Sequence, residues 1–459
     1  MIQFLSDAID LLTRLVFFEF SLLGVPVQMI VLWLAFAMLF STFWLGLPQI
    51  RGFRLGWQAL AGRFADPTAP GGISQFQALS TALASTVGLG NIAGVAVAVA
   101  TGGPGAILWM IIIGFFAMAL KCAEVTLGLM YREELPDGRV RGGPAITLTR
   151  GLAALGRPRT GRSLAGVHAV FMILGCLSLF QVNQAHAQMQ AVTSMNVDAL
   201  WFGLVFAGLA AVVLLGSVSW LGRVTGKLVP AMCILYVGAC LITIGFNIAA
   251  LPEALRLIFE KAFAPDAAIG GALGVFIIGM RRAVYSSEAG IGTAVVAHVQ
   301  ARTRNPASEG MVALIEPFID TVVICTLTGL TIIVTGMHLS GLDGVTMTSA
   351  ALGTAIPFAP ILLAGIVLLF AYSTAVANGF YCTQAFHFLA GDGPKRDLAF
   401  KLFFCAQLSL GALLDFGKVL DLVDSAFFLM AVPNVIAIYM LAKPLRSEIN
   451  SYLIRMMKD

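Results

Sequence analysis

Long apolar stretches alternate with short polar connections along most of the chain. Each stretch is close to the ~20 residues that an α-helix needs to cross a bilayer. The pattern predicts eleven spans, at 26–47, 75–101, 105–131, 164–190, 199–217, 222–247, 270–298, 309–337, 359–388, 397–415 and 419–442. The segment 270–298 is weakly apolar because it holds two arginines, a glutamate and a histidine. We include it because its glycines and charges make it the counterpart of 75–101.

The first 24 residues follow a different pattern. Gln3, Asp7, Asp10 and Arg14 recur at helical spacing, opposite a face of leucine, isoleucine and valine. This amphipathic pattern is typical of a helix that lies along a membrane surface. A signal peptide would begin with Lys or Arg rather than with acidic residues. We therefore predict an interfacial segment (1–24), followed by a peripheral transmembrane helix and a loop (25–74).

Composition supports a polytopic all-α membrane protein, because 59% of residues are hydrophobic, 11% are charged and the mean hydropathy is +0.91. Soluble domains have about a quarter of their residues charged. The seven cysteines lie in apolar segments without metal-ligand or paired spacing, which favours packed thiols. The sequence has no nucleotide-binding loop, catalytic-triad spacing or metal cluster. We therefore expect no enzyme activity and no nucleic-acid partner, and an ion gradient as the energy source.

Positively charged residues predict the orientation of the spans. When connections are assigned to alternate sides, most of the 28 Lys and Arg residues fall on one side. The other side holds only Arg14, Arg256, Lys261 and Lys418. The positively charged side is expected to be cytoplasmic, which places the N-terminus outside and the C-terminus inside the plasma (inner) membrane.

The ten spans after the first divide into two groups of five, at 75–249 and 268–442, before a cytoplasmic tail at 443–459. An odd number of spans per group means that the second group enters the membrane with the opposite orientation. Each group also opens on a glycine-interrupted span. This arrangement is typical of secondary transporters built from inverted repeats.

The segment Leu83 to Ala96 reads LASTVGLGNIAGVA and has an unusual composition for a transmembrane helix. Each glycine costs roughly 1 kcal/mol relative to alanine in a helix interior. Unpaired backbone groups are tolerated in a membrane only where they face protein, a cavity or a ligand. Gly88, Gly90 and Asn91 therefore favour a broken helix that binds a ligand. Close helix packing through small residues is the alternative.

Other spans also carry polar side chains. Gln181, Gln184 and Gln188 share a helical face, which favours either a vestibule or a helix that has already left the membrane. Lys121 and Glu124 are expected to neutralise each other, with a proton relay as the less favoured alternative. Further intramembrane groups have either functional or structural explanations: Glu288, Glu316, Asp320, Ser373 and Thr374.

Several separated blocks resemble the alanine or glycine:cation symporter family, over about 71–444. They are FQALSTALASTVGLGNIAGVAVAVATGGPGAILWM (76–110), KCAE (121–124), RGGP (141–144), SSEAGIGTAVVAH (286–298), FIDTVVICT (318–326), LFAYST (369–374) and PNVIAIYML (433–441). The resemblance implies a leucine-transporter-type 5+5 inverted repeat with one extra N-terminal transmembrane helix. It also implies sodium-driven uptake of a small neutral amino acid.

The resemblance further implies a set of site residues. The substrate carboxylate and amine would meet the unwound backbone from Gly88 to Asn91. A co-transported sodium ion would bind carbonyls near Ala84 and Val87 and the hydroxyls of Ser373 and Thr374, because hard cations prefer oxygen ligands.

The chain departs from the family pattern at four positions, which suggests an altered substrate pocket. Leu89 replaces the threonine between the two glycines, and His186 replaces asparagine after Gln184 and Ala185. Ser287 replaces asparagine before Glu288, and Asn378 replaces a tryptophan. The substrate-binding set that the resemblance implies is Gly88, Leu89, Gly90, Asn91, Gln184, Ser287 and Asn378. These departures leave open whether the substrate belongs to the alanine and glycine class or is larger or more polar.

The leading expectation is a sodium-coupled symporter. A proton-coupled amino-acid carrier and a transporter-like receptor that binds without transport are the alternatives. The sequence does not indicate the oligomeric state.

Overall fold

The computed structural model describes residues 2–22, 25–136, 139–193, 197–263, 271–413 and 416–456, and about 80% of the chain is helical. The N-terminal part holds the helices α1 (Ile2–Val16), α2 (Met29–Trp44), α3 (Pro48–Arg51), α4 (Phe53–Leu60), α5 (Gln75–Thr86), α6 (Val95–Gly102), α7 (Ala106–Met130), α8 (Pro144–Ala154), α9 (Pro158–Gly175), α10 (Leu179–Thr193), α11 (Ala199–Leu214), α12 (Val218–Phe246) and α13 (Leu251–Phe263).

The C-terminal part holds α14 (Gly271–Ser287), α15 (Thr293–His298), α16 (Pro306–Ala313), α17 (Ile315–Pro317), α18 (Thr326–Val334), α19 (Gly344–Gly353), α20 (Ala359–Ala390), α21 (Pro394–Leu408), α22 (Phe416–Met440) and α23 (Ala442–Met456). Two π-helices cover Gly90–Gly94 and Phe318–Cys325. Short 3₁₀ helices cover Ile248–Ala250, Met337–Leu339 and Gly411–Leu413.

Two small antiparallel hairpins complete the structure. Strands β1 (Glu19–Leu22) and β2 (Val25–Gln28) follow the amphipathic helix α1, and β3 (Glu133–Glu134) pairs with β4 (Val140–Arg141). The pattern of apolar stretches and polar connections did not predict either hairpin. Helix α1 forms where the amphipathic pattern predicted a helix, while its position at a membrane surface stays a prediction.

Within the described residues, six helical segments are long and apolar enough to cross a membrane, and a bent pair raises the number to seven. They are Ala106–Met130, Pro158–Val192, Val218–Phe246, Pro306–Val334, Ala359–Ala390 and Asp421–Met440, with Gln75–Thr86 and Gly90–Gly102 as the bent pair. The chain is therefore a multi-pass membrane protein. The other predicted spans also contain helices, but these are shorter or less apolar: α2, α11, α14 with α15, and α21. The count of eleven and the repeat bounds stay predictions.

Three of the predicted spans are interrupted, and these interruptions position the site. The first bends by 55° between Thr86 and Gly90. The second stops at Ser287 and resumes at Thr293. Glu288 adopts a left-handed conformation there (φ 49°), followed by Gly290 (φ 88°) and Gly292 (φ 90°). The third lies between α9 and α10, where Ser178 is left-handed (φ 61°).

The half-helices α5 and α15 pack against each other. The segment before α5 and the segment after α15 are also joined by main-chain hydrogen bonds. The N–H groups of Gly72 and Ile73 donate to the Gln300 carbonyl at 2.9 and 3.2 Å, and Arg302 N–H donates to the Ile73 carbonyl at 2.8 Å. Helix α5 also packs on α12 and α20. The two half-helices are thus held as one unit beside α20, which carries Ser373 and Thr374.

Candidate functional site

The first helix break has a defined local cause. Helix α5 begins with a capping box, in which Ser74 and Gln77 each accept the other's main-chain N–H. At the other end, Val87 is extended (φ −76°, ψ 103°). The Gly88 N–H, which in a continuous helix would donate to the Ala84 carbonyl, donates to Oδ1 of Asn91 at 2.8 Å. Asn91 therefore stabilises the break, because its side-chain oxygen accepts from a main-chain N–H that has no acceptor within the helix.

The released Ala84 carbonyl meets the two hydroxyls of α20. Thr374 Oγ1 donates to it at 3.0 Å and Ser373 Oγ at 3.4 Å, while Ser373 also donates to the Phe370 carbonyl at 2.9 Å. A methyl group added at Gly88 would lie 3.4 Å from Thr374 Oγ1. Three of the expected sodium ligands, Ala84, Ser373 and Thr374, therefore lie together.

The oxygen set at this position fits a small hard cation. The extended conformation of Val87 turns its peptide group out of the helix. The hydroxyl of Thr86, which is 5% exposed, has no hydrogen-bond partner among the described residues. A buried polar group without a partner is unfavourable, so this hydroxyl is an unsatisfied oxygen at the last residue of α5.

The second break places a carboxylate next to the first. The Glu288 carboxylate accepts hydrogen bonds from Ser85 Oγ at 3.1 and 3.2 Å and from Thr293 Oγ1 at 2.5 Å. Ser85 Oγ also lies 3.3 Å from Oδ1 of Asn378, whose Nδ2 donates to Ser178 Oγ at 3.1 Å. A chain of buried hydrogen bonds therefore connects all three helix breaks through Asn378.

The remaining expected substrate residues have different surroundings. Leu89 is 5% exposed, and a methyl group added at Gly90 would meet no atom within 4 Å. Ser287 is fully buried, and its hydroxyl accepts the Ala289 N–H at 3.4 Å. Gln184 is half-buried on α10 and donates to Asn183 Oδ1 at 3.3 Å. Gly90 thus borders open space, whereas the hydrogen bond of Gln184 stays within α10.

The side-chain nitrogen of Asn91 contacts a polar cluster around Asp320, which the sequence predicted only in part. Asn91 Nδ2 donates to the Asp320 carboxylate, and to Ser286 Oγ at 3.2 Å. Ser286 and Thr321 hydroxyls contact Asp320 Oδ2 at 2.8 and 3.0 Å. The sequence singled out Asp320 as an intramembrane carboxylate, but it did not place it against the glycine-rich break.

A second buried network surrounds Lys121. Its ammonium lies 3.4 Å from Glu124 and 3.3 Å from Glu316, and it donates to the Glu288 carbonyl at 3.3 Å. His298 lies 3.4 Å from Glu316 and 2.6 Å from Glu309. The expected neutralisation of Glu124 by Lys121 is therefore present, within a larger network that reaches the second break.

A cavity of about 810 Å³ leads toward α20 from the connections that are predicted to be cytoplasmic. Its lining includes Phe380 and Thr383 on α20, Ser219 on α12, and the side chains of Arg141 and Asp392, which form an ion pair. We call this cavity the vestibule. Through the vestibule, one side of the protein is open to α20, the helix that carries Ser373, Thr374 and Asn378.

Comparison with known proteins identifies the family. Residues 16–459 match the profile of the sodium:alanine symporter family. The chain belongs to this family. The resemblance noted from separated sequence blocks is thereby confirmed over nearly the whole length of the chain.

Relatives of this sodium:alanine symporter family member include transporters with different described substrates. It is 35% identical over 420 residues to the sodium/alanine symporter AgcS of Methanococcus maripaludis, covering 90% of this chain and 92% of AgcS. It is 33% identical over 384 residues to Bacillus subtilis GlnT, described as a probable sodium/glutamine symporter, covering 83% and 78% of the two chains. Bacillus subtilis YrbD, with 33% identity over 445 residues covering 93% and 89%, carries a provisional description as a sodium/proton-dependent alanine carrier.

Solved structures support the fold. The crystal structure of MhsT with L-phenylalanine aligns with a TM-score of 0.53 at 15% identity, covering 81% of this chain and 89% of MhsT. A manganese transporter from Eremococcus coleocola aligns with a TM-score of 0.51 at 13% identity, covering 79% and 76%. The fold is therefore similar to that of leucine-transporter-like proteins. With the family, it indicates an amino-acid symporter rather than an enzyme.

Proposed function

We propose that this protein is a sodium-coupled symporter of small neutral amino acids. The observation that carries the proposal is the meeting of the Ala84 carbonyl with the hydroxyls of Ser373 and Thr374. That carbonyl is free because Asn91 caps the Gly88 N–H. Sodium binding there would join the end of α5, next to the first break, to α20, and the names of AgcS and GlnT support sodium coupling.

The proposal includes the finer architecture expected from the sequence. It comprises eleven spans, a leucine-transporter-type 5+5 inverted repeat, an extra N-terminal helix and a cytoplasmic C-terminus in the inner membrane. Bent segments near the start of both proposed repeats support this arrangement, because inverted-repeat carriers form their central sites from discontinuous helices. The structural similarity to MhsT agrees with it.

The proposed substrate lies against the break from Gly88 to Asn91. The open space beside Gly90 would receive its main-chain groups, near the N-terminal end of the Gly90–Gly102 half-helix, which favours a carboxylate. Asn378 would face its side chain. Asn378 is joined to Ser85 and Ser178 by hydrogen bonds, so the surroundings of this position are polar. This supports a substrate range that extends from alanine and glycine to larger or more polar neutral amino acids.

Uptake by purified protein in liposomes tests the proposal. An inward sodium gradient should drive accumulation of a neutral amino acid, and a proton gradient without sodium should not. The variant S373A/T374V should need at least about tenfold more sodium for half-maximal uptake, because two oxygen ligands are removed. The matched control is Ser219→Ala, a hydroxyl in the vestibule wall outside the ion site.

Other outcomes point to the alternatives. Equal accumulation with a proton gradient alone would indicate the proton-coupled carrier, for which the description of YrbD is a precedent. Saturable binding without flux would indicate a receptor. An unchanged sodium requirement in S373A/T374V would show that these hydroxyls do not bind the ion.

A further inference from the structure

Three arginines at the start of α9 lie exposed and without a partner. Arg157 immediately precedes the helix, and Arg159 and Arg162 lie in its first two turns, one turn apart. All three are exposed. Among the described residues, their guanidinium groups have no hydrogen bond, ion pair or aromatic contact. We call these three residues the arginine cluster.

The other arginines near this turn bind within the protein. Arg132 donates to four main-chain carbonyls, and Arg150 donates to two carbonyls just after α7. Arg141 forms an ion pair with Asp392. The sequence from 138 to 197 contains no Asp or Glu that could neutralise the cluster from nearby in the chain. The cluster therefore offers three positive charges to a partner outside the chain.

The turn between α8 and α9 holds the cluster in a defined position. The Gly156 N–H donates to the Ala153 carbonyl at 2.9 Å, and the Arg157 N–H donates to the Leu152 carbonyl at 2.8 Å. Gly156 is left-handed (φ 75°), and the Gly161 N–H donates to the Arg157 carbonyl at 3.1 Å. Because the main chain is already ordered, binding of an anion costs little further backbone entropy.

An exposed apolar surface continues from the cluster along α9. The helix begins the segment Pro158–Val192, which is long and apolar enough to cross a membrane. Val167 and Val170 are exposed, and helical periodicity places them on the same face as Arg159. Leu155 is exposed at the turn itself. The surface thus combines positive charge at the end of a span with an apolar stripe that runs into the membrane.

We propose that the arginine cluster binds the phosphate headgroup of an anionic phospholipid, whose acyl chains lie along Val167 and Val170. Guanidinium groups bind phosphate oxygens in pairs, which makes arginine well suited to this ligand. Basic clusters next to a transmembrane helix also favour anionic over neutral lipids. The apolar stripe favours a lipid over free phosphate, because free phosphate has nothing to place against it. This contact is separate from the proposed ion and substrate sites.

Lipid binding to the purified full-length protein in a neutral detergent tests the proposal. Short-chain phosphatidylglycerol and phosphatidylcholine with the same chains are titrated in turn, and bound lipid is counted by native mass spectrometry. The wild type should bind phosphatidylglycerol at least about tenfold more tightly, since each cation near an anionic headgroup contributes about fivefold. R157Q/R159Q/R162Q should lose this preference. Salt at about 1 M should weaken it in the wild type, because charges are then screened within about 3 Å.

The matched control is R54Q/R302Q/K443Q. It removes the same charge from three exposed side chains in three different connections, and it should keep the preference. R157K/R159K/R162K retains the charges of the cluster and should keep most of it. The melting temperature of each variant without added lipid should match that of the wild type, because the substituted side chains are exposed.

Four results would overturn the inference. They are equal affinity of the wild type for the two lipids, a preserved preference in R157Q/R159Q/R162Q, an equal loss in R54Q/R302Q/K443Q, and displacement of the lipid by an equal concentration of inorganic phosphate. The last result would assign the cluster to free phosphate. None of them changes the sodium-driven uptake that tests the proposed function, because lipid binding is measured without sodium or substrate.

Discussion

Asn91 connects the two sides of the site with a single amide. Its oxygen caps Gly88 and its nitrogen contacts Asp320, a residue 229 positions away in the chain. The sequence indicated that Asn91 mattered, since a fully buried amide beside glycines in an apolar segment needs hydrogen-bond partners. It could not name the partners. They are brought together by packing between distant helices, which local periodicity does not encode.

Asn378 is the residue at which substrate choice can be tested. Asn378→Trp places a large aromatic group beside Ser178 and Ser85 and removes both hydrogen bonds. Competition uptake should show that the wild type accepts serine, threonine or glutamine well, and that the tryptophan variant loses these substrates by about tenfold or more while retaining alanine and glycine.

Asn378→Leu is the companion variant, because it removes the polar group with little change in size. If lost hydrogen bonding matters more than lost space, it should discriminate against glutamine as strongly as Asn378→Trp does. The enlarged-pocket hypothesis fails if wild type already favours glycine and alanine and the tryptophan variant has the same selectivity.

At the scale of elements, the glycine pattern predicted the first break, and α5 ends at Thr86 within that stretch. The second break was also indicated by glycines and charges between 270 and 298. The third, at Ser178, was missed because Cys176 to Leu179 contains neither glycine nor proline. Its left-handed serine is held by tertiary contacts, including the hydrogen bond from Asn378. The hairpin at Glu19–Gln28 was missed because its first strand was read as part of the interfacial segment and its second strand as the start of the peripheral transmembrane helix.

The unwound turn can be tested with Gly90→Val. A side chain at this position would meet no protein atom within 4 Å, so packing alone would tolerate it. If the space beside Gly90 receives substrate, valine should lower uptake by at least about tenfold while the amount of protein in the membrane stays normal. Uptake and quantified membrane protein are measured together.

Gly365→Val is the matched control. Gly365 lies exposed within α20 and also has no atom within 4 Å of an added methyl group. Gly365→Val should transport normally, because it makes the same substitution in a helix at a position that does not face the site. Near-normal transport by Gly90→Val would show that this space does not receive the substrate.

At the scale of the whole molecule, hydropathy and charge predicted eleven spans, which is more than the lengths of the helices alone support. In the part of the chain that the structure describes, six or seven segments are long and apolar enough to be spans, since half-helices such as α15 are too short. Residues that the predicted topology places on one side of the membrane also lie close together in the structure. The vestibule is lined by Gly72, Arg139, Ser219, Gln300 and Asp392, which come from connections that the charge distribution assigns to the cytoplasm. The agreement supports an inward-facing arrangement in which this cavity opens to the cytoplasm.

Single cysteines can test this orientation. Ser219, in the vestibule wall, and Ser340, in the connection before α19, are both exposed. The native cysteines are buried except Cys233, which is half-buried, so background labelling by a membrane-impermeant thiol reagent should be low. In inside-out vesicles Ser219→Cys should be labelled and Ser340→Cys should not, and in right-side-out vesicles the result should reverse. Sodium with substrate should slow labelling of Ser219→Cys, because alternating access closes one vestibule when the other opens. Labelling of both cysteines from one side would contradict the eleven-span topology, since these connections are separated by three predicted spans.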